Sequence, residues 1–462
     1  MDRSVDRQTY LQWDRDHLWH PFTPHSVYLE EDPLVIVAGE GNYLIDLNGR
    51  RYLDGVASLW CNVLGHRVAA IDDAISQQLG RIAHSTLLGH TAVPAITLAK
   101  RLADLAPPGL TRVFFSDNGS TAVEVALKMA CQYWQQVEGG QHRARQGLLA
   151  LENAYHGDTI GAVSVGGIDL FHQRFAPMVF PVIRAPVPNP ARPPLGSTAD
   201  SHYRDCVQRL EAIFEQHGPR LAAAIVEPRL QGAGGMIVYP ADYLRRLTEL
   251  CRAHGVLLIF DEVAVGMGRS GAMFACQKEG LEPDFLCIAK GLTGGYLPLS
   301  ATLTRERIYE AFLGPPALGR TFFHGHTYTG NALGAAAALA TLEVFEKERV
   351  LEGLPPKIAC LGAELAKLRS LPGVFDVRQY GLAAGVELVS DTRTGESFPP
   401  AERRGMKVCL RAREKGVFLR PLGDVIVLMP PLSITLTEIQ TLVESVAFGI
   451  QMELGRTEGD RP

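Results

Sequence analysis

Residues 256–296, VLLIFDEVAVGMGRSGAMFACQKEGLEPDFLCIAKGLTGGY, leave this chain few ways to fold. Val256-Leu257-Leu258-Ile259-Phe260 reads as a buried strand and runs straight into two acids, Asp261 and Glu262. A second apolar run, Phe285-Leu286-Cys287-Ile288-Ala289, delivers Lys290 and then Gly291. An acid at the end of one core strand and a lysine at the end of the next converge beyond the carboxyl ends of a sheet. Open α/β sheets bind their ligands there.

Such a pair suits catalysis with pyridoxal phosphate. A partly desolvated lysine has a lowered pKa and forms a Schiff base with an aldehyde. An aspartate facing the pyridine nitrogen keeps it protonated, so that the ring accepts electrons from a substrate carbanion. The plainer alternative is that Asp261 caps the following loop and Lys290 sits in solvent, because acids at strand ends are common. The apolar run before Lys290 and the Gly-Leu-Thr-Gly-Gly after it point instead to close-packed backbone.

Composition excludes several classes of function. The 462 residues, 46% hydrophobic and 21% charged, are those of an ordinary globular protein. A net charge of −5 gives no electrostatic reason to expect nucleic acid or an anionic membrane as partner. No apolar stretch approaches the roughly 18–20 residues of a membrane span, and MDRSVDRQTYLQWDRDHLWH is too charged for a signal peptide. The eight cysteines show neither CxxC nor metal-ligand spacing, so the expectation is a reduced, cytoplasmic protein without structural disulfides or a metal.

In chain order, residues 1–30 carry Trp13, Trp19, Phe22 and Tyr28 and read as an arm, docked on its own domain or lining a pocket. Asn48-Gly49 marks a hairpin, and residues 69–82 and 91–105 read as amphipathic helices. Val113-Phe114-Phe115 then enters Ser116-Asp117-Asn118-Gly119-Ser120, after which Val123, Leu127, Ala130 and Trp134 share one helix face. That Gly-Ser turn offers free N–H groups to a phosphate, or is an ordinary capped helix start. Tyr155-His156-Gly157 could supply a ring to stack on a flat cofactor, or form a plain turn. Proline-rich 181–202 reads as a surface loop. Leu221 to Val226 is a core strand ending at Glu227, and the strand–helix alternation from 112 to 300 argues a mostly parallel sheet. His324-Gly325-His326 lacks a third metal ligand at a recognisable spacing. An alanine-rich helix covers 332–347, and 350–450 reads as α+β. Within it Arg420 suits a substrate carboxylate or a surface ion pair, and the final MELGRTEGDRP looks frayed.

Taken together, SDNGSTAVEVALKMA, YHGDTIGA, IVEPRLQG, IFDEVAVGMGRSG, IAKGLTGGYLPL and HGHTYTGN resemble the class III aminotransferases, a branch of the fold-type I pyridoxal-phosphate enzymes. They stand in the family's order between 116 and 331; Val265 and Met267 replace its usual Thr and Phe, conservatively in shape. The resemblance implies an α/β fold with a large domain (66–340) on a mostly parallel mixed sheet. A smaller α+β domain would be built from an N-terminal segment (1–65) and a C-terminal one (341–462). HLWHPFT at 17–23 and RPLGDVIVLMPPL at 420–432 further resemble the biotin-pathway branch, which aminates 7-keto-8-aminopelargonic acid.

The resemblance implies a homodimer with shared active sites that acts on small molecules. Lys290 would hold pyridoxal phosphate and shuttle a proton, Asp261 would pair with the pyridine nitrogen, and Val263 and Tyr155 would cover the two ring faces. Gly119 and Ser120 would hold the phosphate, with Thr329 contributed by the second subunit. Glu227 would lie on the side of the cofactor's 3′ oxygen, and Arg420 would bind the keto-acid carboxylate. Trp60 and the arm would line the substrate channel. Branch members that take the amino group from S-adenosylmethionine typically carry tyrosine at the position of Phe22 and tryptophan at that of Leu59. Phe22 has no hydroxyl and Leu59 no flat ring for a sulfonium or adenine, so L-lysine is favoured as donor. A broader ω-amino acid or amine transaminase, or an aminomutase, shares the same core motifs. A nicotinamide dehydrogenase wants GxGxxG, which Asn118-Gly119-Ser120 does not supply. A non-catalytic binding protein is the remaining alternative.

Overall fold

In a computed structural model that describes residues 5–455, Asn48-Gly49 joins β2 (Tyr43–Asp46) to β3 (Arg51–Asp54), with β1 (Ile36–Glu40) beside β2. Gly49 takes φ +80°, the left-handed conformation that so tight a hairpin demands. The expected helices run over Ala69–Leu79 and Val93–Leu105.

The alternation from 112 to 300 folds into one seven-stranded sheet. Its strands are β4 (Leu110–Ser116), β5 (Gly147–Leu151), β6 (Ile183–Ala185), β7 (Leu221–Val226), β10 (Leu257–Asp261), β11 (Phe285–Ile288) and β12 (Ser300–Arg305). Between β7 and β10, β8 (Leu230–Gln231) and β9 (Ile237–Val238) form a separate ribbon. The spatial order is β4-β12-β11-β10-β7-β5-β6. Only β12 runs against its neighbours, antiparallel to both β4 and β11. Every residue of β7, β10 and β11 is buried, which is why these strands read as continuous apolar runs and not as alternating ones. The helix Gly119–Gln136 covers one face and buries Val123, Leu127, Ala130 and Trp134, as their spacing predicts. Its Trp134 indole donates to the Ala222 carbonyl at 2.9 Å, which satisfies the buried N–H.

The proline-rich stretch is not a loop throughout. Ile183–Ala185 is the edge strand β6, and the helix Ala199–His217 begins before the stretch ends. Pro181 and Pro186 flank β6, and an edge strand pairs on one side only, so the missing proline N–H groups cost little there. The arm also holds more order than its unperiodic aromatics suggest. Arg7–His17 is a helix capped by Asp6, with Leu11 as its buried residue.

After the helix Ala332–Lys347 come β13 (Val374–Tyr380), β14 (Ala383–Leu388), β15 (Val417–Phe418), β16 (Pro421–Leu422) and β17 (Val425–Leu428). Four of them form an antiparallel sheet in the order β13-β14-β17-β16. β15 leaves that group and pairs in parallel with β3. Of the tail that looks frayed, Met452 to Leu454 completes the helix Leu436–Leu454, and 456–462 lie outside the described residues. Among the described residues no helix is long and apolar enough to cross a membrane.

Register fixes the two chemical residues. Asp261 ends β10 opposite Cys287 of β11, and Lys290 opens the short turn Lys290–Thr293 just past that strand. Phe260, wholly buried beside Asp261, anchors the end of β10. Phe260→Ala should cost about 3–5 kcal/mol, as for other large-to-small core changes, and should lower the midpoint of urea unfolding. An unchanged midpoint would contradict this anchoring.

Candidate active site

Beyond the carboxyl ends of β10 and β11 lies a cavity of about 440 Å³. Lys290 lines it, and although part of its surface opens into the cavity, the amine is shielded from bulk water. That desolvation pushes its pKa down, against the opposing pull of Asp261 and then Glu227. The Lys290 amine stands 4.8 Å from the centre of the Trp60 ring. Lys290 has φ +45°, and Ala57, Ser58 and Trp60 have φ of +47°, +60° and +65°. Non-glycine residues in this region carry on the order of 1–3 kcal/mol of strain each and collect at functional sites.

The Asp261 carboxylate is buried and held at both oxygens. His156 Nδ1 lies 2.7 Å from Oδ2, and the Val263 N–H donates to Oδ1 at 3.1 Å. His156 is itself wholly buried, and its Nε2 has no partner among the described residues. Glu227, at the end of β7, accepts N–H groups from Tyr155 at 3.1 Å and Gly232 at 2.9 Å. Burial nonetheless pushes its carboxyl up to about 7, with the Asp261 charge adding to the rise.

At the opposite wall, Asn118 caps the helix Gly119–Gln136 through a reciprocal box with Thr121, both bonds 3.1 Å. The box uses the Thr121 N–H and leaves the first turn's other N–H groups facing outward at the positive end of the helix. No side chain fits at Gly119, where a Cβ would lie 2.7 Å from Val263 Cγ1. Gly157, at φ +120°, likewise has no room for a Cβ against Ser120. Ser120 Oγ accepts the Asp158 N–H at 3.2 Å, and the Asp158 carboxylate accepts the Tyr155 hydroxyl at 2.6 Å. The aromatic wall and the Gly-Ser turn are thus tied together.

The structure brings Leu59, Trp60, Gly119, Ser120, Tyr155, Glu227, Asp261, Val263 and Lys290 around this one cavity. Phe22, Thr329 and Arg420 do not line it. Arg420 is exposed, and its guanidinium donates to the Phe22 carbonyl at 3.4 Å. Thr329 is half-buried and its hydroxyl accepts the His326 N–H at 3.0 Å. His326 in turn lies 3.2 Å from Asp117, and His324 lies 2.8 Å from the Lys128 amine. The sequence reading missed His156 as the support of Asp261, because the two stand far apart in the chain; the only available signal was its place in Tyr-His-Gly. It also missed Asp117, Cys61 and Tyr296 as lining residues. Cysteine spacing alone missed a further feature. On the helix Ala199–His217, the donor atoms of His202, Asp205 and Cys206 lie within 4.8 Å of one another.

A desolvated amine, a fixed carboxylate, apolar and aromatic side walls and an open helix N-terminus together fit the aldehyde, pyridine nitrogen, ring faces and phosphate of pyridoxal phosphate.

Comparison with known proteins agrees. The family described as Aminotransferase class-III matches residues 27–448. The adenosylmethionine-8-amino-7-oxononanoate aminotransferase of Nitratidesulfovibrio vulgaris is 55% identical over 433 residues, 94% of this chain and 80% of that one. The crystal structure of the enzyme of that name from Methanocaldococcus jannaschii superposes with a TM-score of 0.91 at 44% identity, covering 97% of this chain and all of that one. An amine transaminase from an uncultivated Pseudomonas species, in its PLP-bound form, superposes at 0.89 with 38% identity over 95% of this chain and 99% of its own.

The raised Glu227 carboxyl has a measurable consequence. Between the ordinary 4.5 and about 7 the folded, cofactor-free protein keeps a proton that the unfolded chain has released. Stability therefore falls as pH rises through that window and levels off above it. Glu262, also buried and raised to about 7, contributes with the same sign. Glu227→Gln should roughly halve the fall in melting temperature across this window; identical pH slopes in the two proteins would refute the assignment.

Proposed function

The chain belongs to the class III aminotransferases, and from that premise we propose that it aminates 7-keto-8-aminopelargonic acid to 7,8-diaminopelargonic acid, a step of biotin synthesis. It is a pyridoxal-phosphate-dependent transaminase with small-molecule substrates. The observation that carries the reading is the desolvated Lys290 amine sharing one cavity with the fixed Asp261 carboxylate. The choice of acceptor is supported by the names of the relatives in Nitratidesulfovibrio vulgaris and Methanocaldococcus jannaschii.

Bound pyridoxal phosphate supplies an electron sink and carries the amino group from donor to acceptor. The chain's own residues do the rest. Lys290 Nζ, biased toward its neutral form by burial, would take the proton from the donor's α-carbon and pass it to the cofactor, and would run the same transfer in reverse toward the acceptor carbon. Asp261, steadied by His156, would keep a proton on the pyridine nitrogen. Val263 and Tyr155, which line the cavity, would flank the ring, the Gly119–Ser120 turn would hold the phosphate, and Glu227, its carboxyl raised to about 7, would sit on the 3′-oxygen side. Arg420 exchanges the Phe22 carbonyl for the carboxylate of the acceptor. Thr329 would reach the phosphate from a second copy of the chain in a homodimer. Exposed Leu88, Phe323 and Tyr328, which lie on or near its loop, support such an interface. The small domain is taken to comprise 1–65 and 341–462, a division supported by the pairing of β15 with β3. The cytoplasm is the expected compartment, in keeping with eight unpaired cysteines.

L-lysine is the favoured donor. Leu59 lines the cavity with an aliphatic chain where a flat ring would suit adenine, and Phe22 offers no hydroxyl. The likeness to the Pseudomonas amine transaminase supports a second reading, a broader ω-amine transaminase.

On the purified, cofactor-loaded enzyme, L-lysine should bleach the visible cofactor band in a half-reaction, and S-adenosylmethionine should not. Bleaching by S-adenosylmethionine alone would reverse the donor assignment. Bleaching only by simple ω-amines, without turnover of 7-keto-8-aminopelargonic acid, would favour the second reading. Lys290→Ala should lose at least roughly 10³-fold in turnover, and a variant that kept full activity would sink the mechanism.

A further inference from the structure

We propose that Phe171 is a specificity-determining residue: with Tyr155 and Phe22 it forms an aromatic corridor from the cofactor cavity to Arg420, which selects acceptors whose carbonyl and terminal carboxylate are separated by a long aliphatic chain. This rests on the proposed amination of a keto-acid with a distant carboxylate, and it names the part of the protein that measures that distance.

Tyr155 lines the cavity. The Phe171 ring meets it edge-on, with centroids 6.2 Å apart and planes at 84°. On its other side Phe171 meets Phe22 at 5.3 Å and 69°. The Phe22 carbonyl then accepts the Arg420 guanidinium at 3.4 Å. Three rings in series therefore connect the chemical centre to a cation that, among the described residues, has no side-chain carboxylate on it. Edge-to-face contacts fix the rings against one another while leaving aromatic surface toward a passing chain.

The corridor is held in place from behind. Phe171 belongs to the four-residue helix Asp169–His172, too short to be stable by itself. Its neighbour His172 secures it, for His172 Nδ1 accepts the Ile168 N–H at 3.2 Å. The imidazole lies on Gly166, where no Cβ would fit, and runs parallel to Tyr155, 8° between planes and 6.3 Å between centres. At the far end Phe22 adopts φ +49°, a strained conformation for a ring-bearing residue between Pro21 and Thr23. Leu170, the preceding residue of the same helix, is 86% exposed, so Phe171 is the residue that this helix turns toward the corridor.

Arg420 lies outside the cavity that holds Lys290, so on this proposal an acceptor must be long enough to engage both. Each additional methylene laid along the rings should raise kcat/KM on the order of fourfold, until the carboxylate reaches the guanidinium. The experiment measures kcat and KM of the cofactor-loaded enzyme for ω-carboxy ketones of increasing chain length. It includes 7-keto-8-aminopelargonic acid and compares wild type, Phe171→Ala, Phe171→Leu and Phe171→Trp. Phe171→Ala should flatten the dependence on chain length, losing roughly tenfold on the longest acceptors through KM, and progressively less on shorter ones. Phe171→Leu should restore most of the slope. Phe171→Trp, which fills the corridor further, should move the optimum to shorter acceptors and keeps the question open to measurement if the alanine variant fails to fold. An equal loss at every length, in kcat as much as in KM, would mark Phe171 as merely structural and overturn the proposal, as would no loss. A wild-type enzyme that shows the slope but refuses 7-keto-8-aminopelargonic acid would remove the proposed function and leave the corridor. A wild-type enzyme without any slope would remove the corridor even if it aminates that acceptor.

Discussion

The structure depends on keeping one amine out of water opposite one carboxylate. Lys290 and Asp261 come from adjacent parallel strands; the Asp261 charge opposes the desolvation of the Lys290 amine, while His156 and the Val263 N–H hold Asp261 itself. Parallel strands deliver both residues to the same edge, because their carboxyl ends point the same way. Had β11 run like β12, Lys290 would emerge at the opposite edge of the sheet.

Around this pair the protein accepts local costs. Positive φ at Lys290 and on the Ala57–Trp60 segment is strain that the surrounding packing must absorb. Asp54 absorbs part of it, accepting the Ser58 N–H at 2.9 and 2.8 Å while pairing with His66 at 3.0 Å. Gly295 closes onto Cys61 and Asn62, where a side chain would strike backbone. Such rigidity suits a site whose amine must find its proton at a fixed atom.

A second buried cation ties the site to the rest of the chain. Arg269 is wholly buried in the turn that follows β10, and burial pushes its pKa down to about 9. Among the described residues it has no carboxylate partner; its Nη1 donates to the carbonyls of Leu382 and Pro430 at 3.0 and 2.5 Å, and its own carbonyl accepts the Leu382 N–H at 3.0 Å. Leu382 stands between β13 and β14 and Pro430 follows β17, so the arginine clasps the C-terminal sheet to the loop that begins at Asp261. The hydrogen bonds of its guanidinium to carbonyl dipoles offset part of the cost of burying the charge.

What the sequence by itself determined is local. Uninterrupted apolar runs ending in Asp261 and Lys290, the Asn-Gly turn, the spacing of Val123, Leu127, Ala130 and Trp134, and a Gly-Ser helix start each depend on neighbours in the chain, so each could be read there. Nine of the twelve residues expected at the site line one cavity, because strand ends and the helix start converge by the rules of parallel sheets. Only the tertiary structure decided the rest. His156 on Asp261, Trp60 over Lys290, Asp158 between Tyr155 and Ser120, and Phe171 between Tyr155 and Phe22 pair residues whose contact no period or turn encodes. Order within the arm and a strand amid prolines were equally illegible, since packing against distant elements outweighed local propensity there. The chain announces which chemical groups it carries; how far apart they stand, and how much water reaches them, belongs to the fold.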